Sequence, residues 1–223
     1  MLYIVATPIG NLEDFTFRAV RILKEVDYIF AEDTRVTKKL LNHYEIGTTL
    51  YRYDEFTKSH QIKNIINMLQ DGKAIALVTD AGTPCISDPG YELVNEALNN
   101  DLKVIPIPGP SALTAAASVA GVSTKRFSFE GFLPKKKGRQ TLFNLLKEEV
   151  RTIVIYESPF RVEHTLKDVQ EYLGDRNVVI IREISKIYEE ILRGTTTELL
   201  EKLVKKPIKG EIVMFIEGKD TWI

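Results

Sequence analysis

"AIALVTDAGTPCISDPG", Ala74 to Gly90, decides how this chain folds. Its first five residues, Ala74 to Val78, are apolar without alternation, the pattern of a strand buried on both faces. The stretch from Thr79 to Gly90 then carries two aspartates, two prolines and two glycines. Strands of this kind belong to parallel sheets, where ligands bind in the crevice at the carboxyl ends of the strands. A loop so heavily punctuated is therefore a candidate ligand loop as well as a turn.

The same pattern recurs on either side. Leu2 to Ala6, Tyr28 to Ala31 and Val104 to Ile107 read as buried strands. Helices come between them: Ala19, Ile22, Leu23 and Val26 fall at i, i+3, i+4 and i+7, and Ile62, Ile65, Ile66 and Leu69 repeat that spacing. Alternation of strand and helix predicts a mainly parallel sheet with helices on both faces. "PIPGPS", Pro106 to Ser111, interrupts it with three prolines and a glycine and predicts a domain junction. Beyond it, Thr152 to Tyr156, Val178 to Ile181 and Glu211 to Glu217 read as strands, separated by helices carrying Val162, Leu166, Val169, Leu173 and then Leu199, Leu200, Leu203, Val204. The expectation is an α/β protein of two α/β domains, residues 1–109 and 110–223.

Composition sets outer limits. Of 223 residues, 44% are hydrophobic and 27% charged, an ordinary globular balance. The net charge of −1 means that any nucleic-acid contact must come from a local patch. "MLYIVATPIGNL" lacks a basic start and reaches Pro8 and Gly10 too soon for a signal peptide, while "ALTAAASVAGV" from Ala112 is too short to span a bilayer. A cytoplasmic protein with no membrane partner is expected. The single cysteine, Cys85, excludes an intramolecular disulfide, and His43, His60 and His164 form no zinc-ligand spacing, so no metal is expected.

Four segments leave the strands of the first half: "ATPIGN", "AEDTR", "TDAGTPCISDPG" and "PIPGPS". Gly82 lets backbone approach a ligand closely, Pro84 fixes the loop, and Asp80 and Thr83 offer polar contacts. Neither G-x-G-x-x-G nor G-x-x-x-x-G-K-[ST] occurs, which removes the dinucleotide fingerprint and the P-loop. Asp80 and Asp88 have a spacing that allows a shared Mg²⁺, but no phosphate loop accompanies them. "SDPGYE" reads instead as a helix start with Asp88 as N-cap and Pro89 at the first helical position. Cys85 has no histidine near it in sequence and reads as a small buried residue.

"VATPIGNLED", "AEDTR", "VTDAGTPCISDPG", "PIPGPSA", "FEGFLP", "IYESPFR" and "KGEIVMFIEG", in this order along nearly the whole chain, resemble the tetrapyrrole methylase superfamily. Within it the chain is similar to the ribosomal RNA small-subunit methyltransferase I family, which methylates the 2′-hydroxyl of a cytidine in the decoding region of 16S ribosomal RNA. The resemblance implies two α/β domains with S-adenosylmethionine in the cleft between them, 16S ribosomal RNA or the small ribosomal subunit as partner, and a homodimer. It implies cofactor contacts at Ile9, Thr83 and Ile86, at Ser111 and Ala112, and at Tyr156 and Ile212, alongside Asp80 and Gly82 of the same loop. The chain departs from the family pattern in having no histidine near Tyr188 and no helical segment after Ile223.

A ribose hydroxyl is a poor nucleophile at neutral pH and calls for a general base or a stabilising cation. Glu32 and Asp33 follow one strand, with Arg35 and Lys38 close behind; Glu157 and Arg161 follow another. The helix dipole accounts for the charge order of "EDTRVTKK", and Glu157 with Arg161 also reads as a surface ion pair. Glu32, Asp33 and Glu157 are the candidates for proton removal. "KRFSFEGFLPKKKGRQ", Lys125 to Gln140, is the one basic patch interleaved with aromatics. Lys135, Lys136 and Lys137 precede an apparent helix, where cations are disfavoured unless phosphate is the partner, and Arg139 belongs to the same patch. They are the candidate RNA contacts, with Phe127, Phe129 and Phe132 read as core or cofactor-lining. A methylase of a small tetrapyrrole-like molecule and a non-catalytic RNA-binding module on the same fold remain as alternatives.

Overall fold

The computed structural model describes residues 1–53 and 58–219; the side chains of 58–60, His60 among them, lie outside that description. Two compact units make up the chain, Met1–Ser111 and Ala112–Ile223.

The first unit runs β1 (Leu2–Val5), α1 (Phe17–Glu25), β2 (Tyr28–Ala31), α2 (Thr34–His43), β3 (Thr49–Arg52), α3 (Lys58–Gln70), β4 (Ile75–Val78), α4 (Tyr91–Asn99) and β5 (Val104–Ile107). Its strands are all parallel, in the order β3-β2-β4-β1-β5. The apolar run from Ala74 to Val78 contains β4, and its lack of alternation has a direct cause. Ala76 and Val78 pack beneath α1 and α2 with Ala19, Leu23 and Leu41, whereas Ile75 and Leu77 pack on the other face with Ile65, Leu69, Leu93 and Ala97 of α3 and α4. Strand β3 carries no apolar run because it lies at the sheet edge, mostly exposed, and the sequence pattern does not predict it.

The second unit contains α5 (Ala112–Val119), β6 (Phe127–Phe132), α6 (Arg139–Leu146), β7 (Thr152–Glu157), α7 (Val162–Asp168), β8 (Asn177–Arg182), β9 (Glu190–Thr195), α8 (Thr196–Lys205) and β10 (Ile212–Ile216). Past Asp168 the α7 backbone widens into a π-type turn over Val169–Leu173. The sheet order is β6-β7-β10-β8-β9, parallel only between β6 and β7. Helices α6, α7 and α8 cover one face, and α5, whose Ala116 packs on Val154, Val213 and Phe215, covers the other. Helix α8 starts at a capping box in which the Thr195 side chain accepts from Glu198 N–H and Glu198 accepts from Thr195 N–H.

The helix after "SDPG" starts later than its aspartate predicts. Helix α4 begins at Tyr91 with Gly90 as its N-cap, so Asp88 is not the capping residue. Cys85 and Ser87 both adopt left-handed backbone, with φ of 71° and 63°, and turn the chain before the helix can begin.

Candidate functional site

Because the first sheet is parallel, the loops after β1, β2, β4 and β5 leave from one edge. Backbone ties them together. Thr7 and Gly82 exchange two hydrogen bonds, Thr7 N–H to Gly82 O at 2.8 Å and Gly82 N–H to Thr7 O at 3.0 Å. The buried Thr7 hydroxyl donates to Thr79 O at 3.0 Å, and the Thr83 hydroxyl donates to Pro110 O at 3.1 Å. The Asp80 carboxylate accepts from Asp33 N–H at 3.2 Å, which joins the β2 loop to the β4 loop.

Glycine allows close approach twice on this edge. Gly82 has φ of +87°, and a Cβ there would stand 3.5 Å from Ile9 Cγ2. A Cβ on Gly109 would meet Ala6 Cβ at 3.0 Å, so a side chain there would push the β5 loop off the β1 loop by a few tenths of an ångström. The result is a surface of peptide groups with buried Ile9 beneath it, half-buried Thr83, and Ile86 exposed at the rim. Such a surface, with backbone donors and acceptors beside aliphatic side chains and few fixed charges, suits a zwitterionic nucleoside-amino-acid cofactor.

Charge on this edge comes from carboxylates and from Arg35, which pairs with Asp33. Lost hydration pushes the Asp80 carboxyl above its ordinary value; the Asp33 N–H opposes that rise and the Asp33 charge adds to it. Burial likewise raises Asp88, with the Asp80 charge contributing. Asp33 goes the other way, well below the usual carboxylate range, because the Arg35 side chain donates to it at 2.6 and 3.0 Å while Arg35 N–H donates at 2.8 Å. Asp33 is thus the N-cap of α2 and a poor proton acceptor. Burial, with Asp88 and Glu92 nearby, pushes the Cys85 thiol up to about 11, which fits the absence of a nucleophilic role. Glu32, exposed just after β2, is the most accessible acid of the three candidates.

The second unit shows an arrangement that the sequence reading did not anticipate. Glu157, whose side chain is fully buried, accepts from Thr165 Oγ1 at 2.6 Å and from Ser158 N–H at 2.7 Å, and pairs with Arg161 Nε at 3.3 Å. Thr165 in turn accepts from Arg139 Nη2 at 2.8 Å, and Arg139 pairs with Asp168 at 2.6 Å. The two arginines then reach outward: Arg139 Nη1 donates to Pro134 O at 3.1 Å and Arg161 Nη2 to Leu133 O at 2.6 Å.

Two expectations are corrected by this. Arg139 is buried and committed to Asp168, Thr165 and Pro134, so its guanidinium is not presented to RNA. Glu157 and Arg161 form no weak surface pair; Glu157 is sealed inside the unit as an anchor, not aimed at a substrate hydroxyl. Lys135, Lys136 and Lys137 are exposed, on the loop whose start the two arginines hold. Thr165 and Asp168 carry no sequence signal, being i, i+3 on a helix whose apolar positions dominate its pattern.

The remaining residues fall as follows. The Tyr156 hydroxyl accepts from Leu113 N–H at 3.1 Å, and its half-buried ring meets Phe129 and Phe132 edge-on at 5.0 and 5.6 Å. Phe127 and Phe129 pack against the face under α5, in keeping with a core role. Ile212 is buried on β10, between Glu157 and Arg182. Ser111 and Ala112 are half-buried where the two units join in sequence. Among the described residues, no three His, Cys, Asp or Glu side chains gather as a metal site, and no helix is long and apolar enough to cross a membrane.

Comparison with known proteins adds a family. Residues 1–200 match the family described as Tetrapyrrole (Corrin/Porphyrin) Methylases. A ribosomal RNA small subunit methyltransferase I of Halalkalibacterium halodurans is 52% identical over 97% of this chain and 75% of its own. The protein of that name from Thermotoga maritima is 49% identical over 98% of this chain and 99% of its own. Among solved structures, a diphthine synthase aligns with a TM-score of 0.76 at 14% identity over 99% of this chain and 91% of its own. A cobalt precorrin-4 methyltransferase aligns at 0.69 and 18% identity, over 97% and 94%. At such identities these two speak for the fold alone.

Proposed function

This chain belongs to the tetrapyrrole methylase family and, within it, to the ribosomal RNA small-subunit methyltransferase I group, and from that membership we propose that it methylates the 2′-hydroxyl of a cytidine in the decoding region of 16S ribosomal RNA. It does so in the cytoplasm, as a homodimer, with 16S ribosomal RNA or the small subunit as partner. The observation that carries RNA as the acceptor is the exposed Lys135, Lys136 and Lys137, on a loop whose start is held by the buried Arg139 and the half-buried Arg161, in a chain whose net charge is only −1.

The family's methyl donor is S-adenosylmethionine, which supplies a methyl group on a sulfonium, ready for in-line displacement. Ile9, Gly82, Thr83 and Ile86 line the surface that binds it, with Ser111 and Ala112 following the β5 loop. Gly82 and Gly109 add no Cβ atoms to that surface. Asp80 orients the β2 loop through the Asp33 N–H and thereby sets the position of Glu32. We assign proton removal to the Glu32 carboxylate, since Asp33 is held ionised by Arg35 and Glu157 is locked inside its unit. Tyr156 and Ile212 are the second unit's cofactor contacts in this reading.

The test is direct. The protein is incubated with methyl-labelled S-adenosylmethionine and small subunits from cells lacking the modification, and the labelled nucleotide is mapped. Label on one cytidine ribose is expected. Label on a porphyrin precursor with none on RNA overturns the reading.

A further inference from the structure

We infer that Phe160 is a stacking post for an unpaired RNA base and forms, with Lys135, Lys136 and Lys137, a single-strand binding platform on the second unit. This rests on the RNA-methyltransferase reading and adds to it a role for Phe160 that the family resemblance does not assign. Phe160 lies in the turn between β7 and α7 and is 96% exposed. A phenylalanine ring held in water keeps its whole apolar face available to a ligand.

The exposure does not come from a loose turn. Ser158 N–H is bonded to Glu157, while Arg161 N–H and Val162 N–H donate to Ser158 O at 3.0 and 3.2 Å. The ring is therefore held out by a fixed backbone.

The chemistry beside it selects the partner. Strands β6 and β7 are parallel neighbours, with Phe132 paired to Tyr156, so the loops that follow them leave from the same edge. Arg161, the residue after Phe160, donates to Leu133 O, and Arg139 donates to Pro134 O, which fixes the start of the lysine loop to the Phe160 turn. A rigid aromatic face next to a cationic loop matches single-stranded nucleic acid, where bases stack and phosphates take the charge. A second copy of this chain, which brings its own lysines to such a contact, matches it less well.

The test uses the full chain and a labelled single-stranded fragment of the 16S decoding region, titrated at several salt concentrations. Phe160→Ala should weaken RNA binding about tenfold, since one base stack contributes roughly 1–3 kcal/mol. Its slope of log Kd against log salt should match the unsubstituted protein, with S-adenosylmethionine affinity and melting temperature unchanged. Phe160→Trp should retain the affinity. The triple Lys135→Ala, Lys136→Ala, Lys137→Ala variant should instead flatten that slope.

Wild-type RNA affinity in Phe160→Ala, or loss of self-association in sedimentation as its sole effect, overturns the stacking role while RNA methylation stands. Failure of the unsubstituted protein to methylate RNA overturns the functional reading itself, and this inference with it.

Discussion

Thr7 and Gly82 close the loop edge of the first unit with two peptide hydrogen bonds, whereas in the second unit Arg139, Asp168, Thr165 and Glu157 close it with side chains largely shielded from water. The first way leaves a surface of peptide groups and aliphatic carbons with little fixed charge. The second buries charge so that a short loop with three lysines can be held in one place. A small zwitterion needs close approach and shape; a polyanion needs fixed cations and tolerates distance. The two constructions also fail differently: added atoms should damage the backbone-closed edge, and deleted side chains the other.

The sharpest way to break that contrast is Arg139→Ala. It strands Asp168 in a site where the paired side chains are only 7% and 13% exposed, and should cost about 3–5 kcal/mol in a urea melt. A loss under about 1 kcal/mol would mean that the network does not hold the second unit. Next comes the triple lysine variant, which should lower the salt dependence of RNA binding by up to about three units of log–log slope, with cofactor titration unaltered. If the cofactor also binds more weakly, the division of labour between the units fails.

A smaller effect is expected at Gly82→Ala, where a left-handed φ of +87° costs a side chain about 1–2 kcal/mol. Calorimetry should show weaker S-adenosylmethionine binding and RNA binding intact. Least of all should come from Asp88→Asn. Burial raises the Asp88 carboxyl, so the folded chain holds that proton more tightly than the unfolded one, and stability falls as pH rises through the interval between the two values. The variant should therefore melt about a degree or two higher at neutral pH, and the gain should vanish below the ordinary carboxylate range. A gain that grows in acid would reverse the assigned sign.

Much of the fold was legible because buried parallel strands announce themselves. Strands β2 and β5 occupy the residues their apolar runs predict, and β1, β4, β7, β8 and β10 differ by a residue or two at their ends. Strands β3, β6 and β9 were not legible: β3 and β9 are sheet edges with polar, half-exposed residues, and β6 is interrupted by a bulge between Phe129 and Gly131. The peptide-closed edge was readable in outline, since Gly82 and the prolines mark it, although its partner Thr7 was not. The buried network was misread because Glu157, Thr165, Asp168 and Arg139 are far apart in sequence or sit on a helix face whose burial a charge does not reveal. A charged side chain looks solvated until its partner is known.

Strand β10 carries one more consequence. It lies between β7 and β8, so residues 212–216 are the middle of the second sheet although they come after its other strands in the chain. While the chain is being made, the β6-β7 pair and the β8-β9 hairpin have no strand to join them, and the facing edges of β7 and β8 stay unpaired until that segment leaves the ribosome. The first unit, whose contacts close by Ser111, is ready roughly ten seconds earlier at ordinary elongation rates. A nascent chain stalled before Ile212 should thus be half native and half sticky, a substrate for chaperones in one part only.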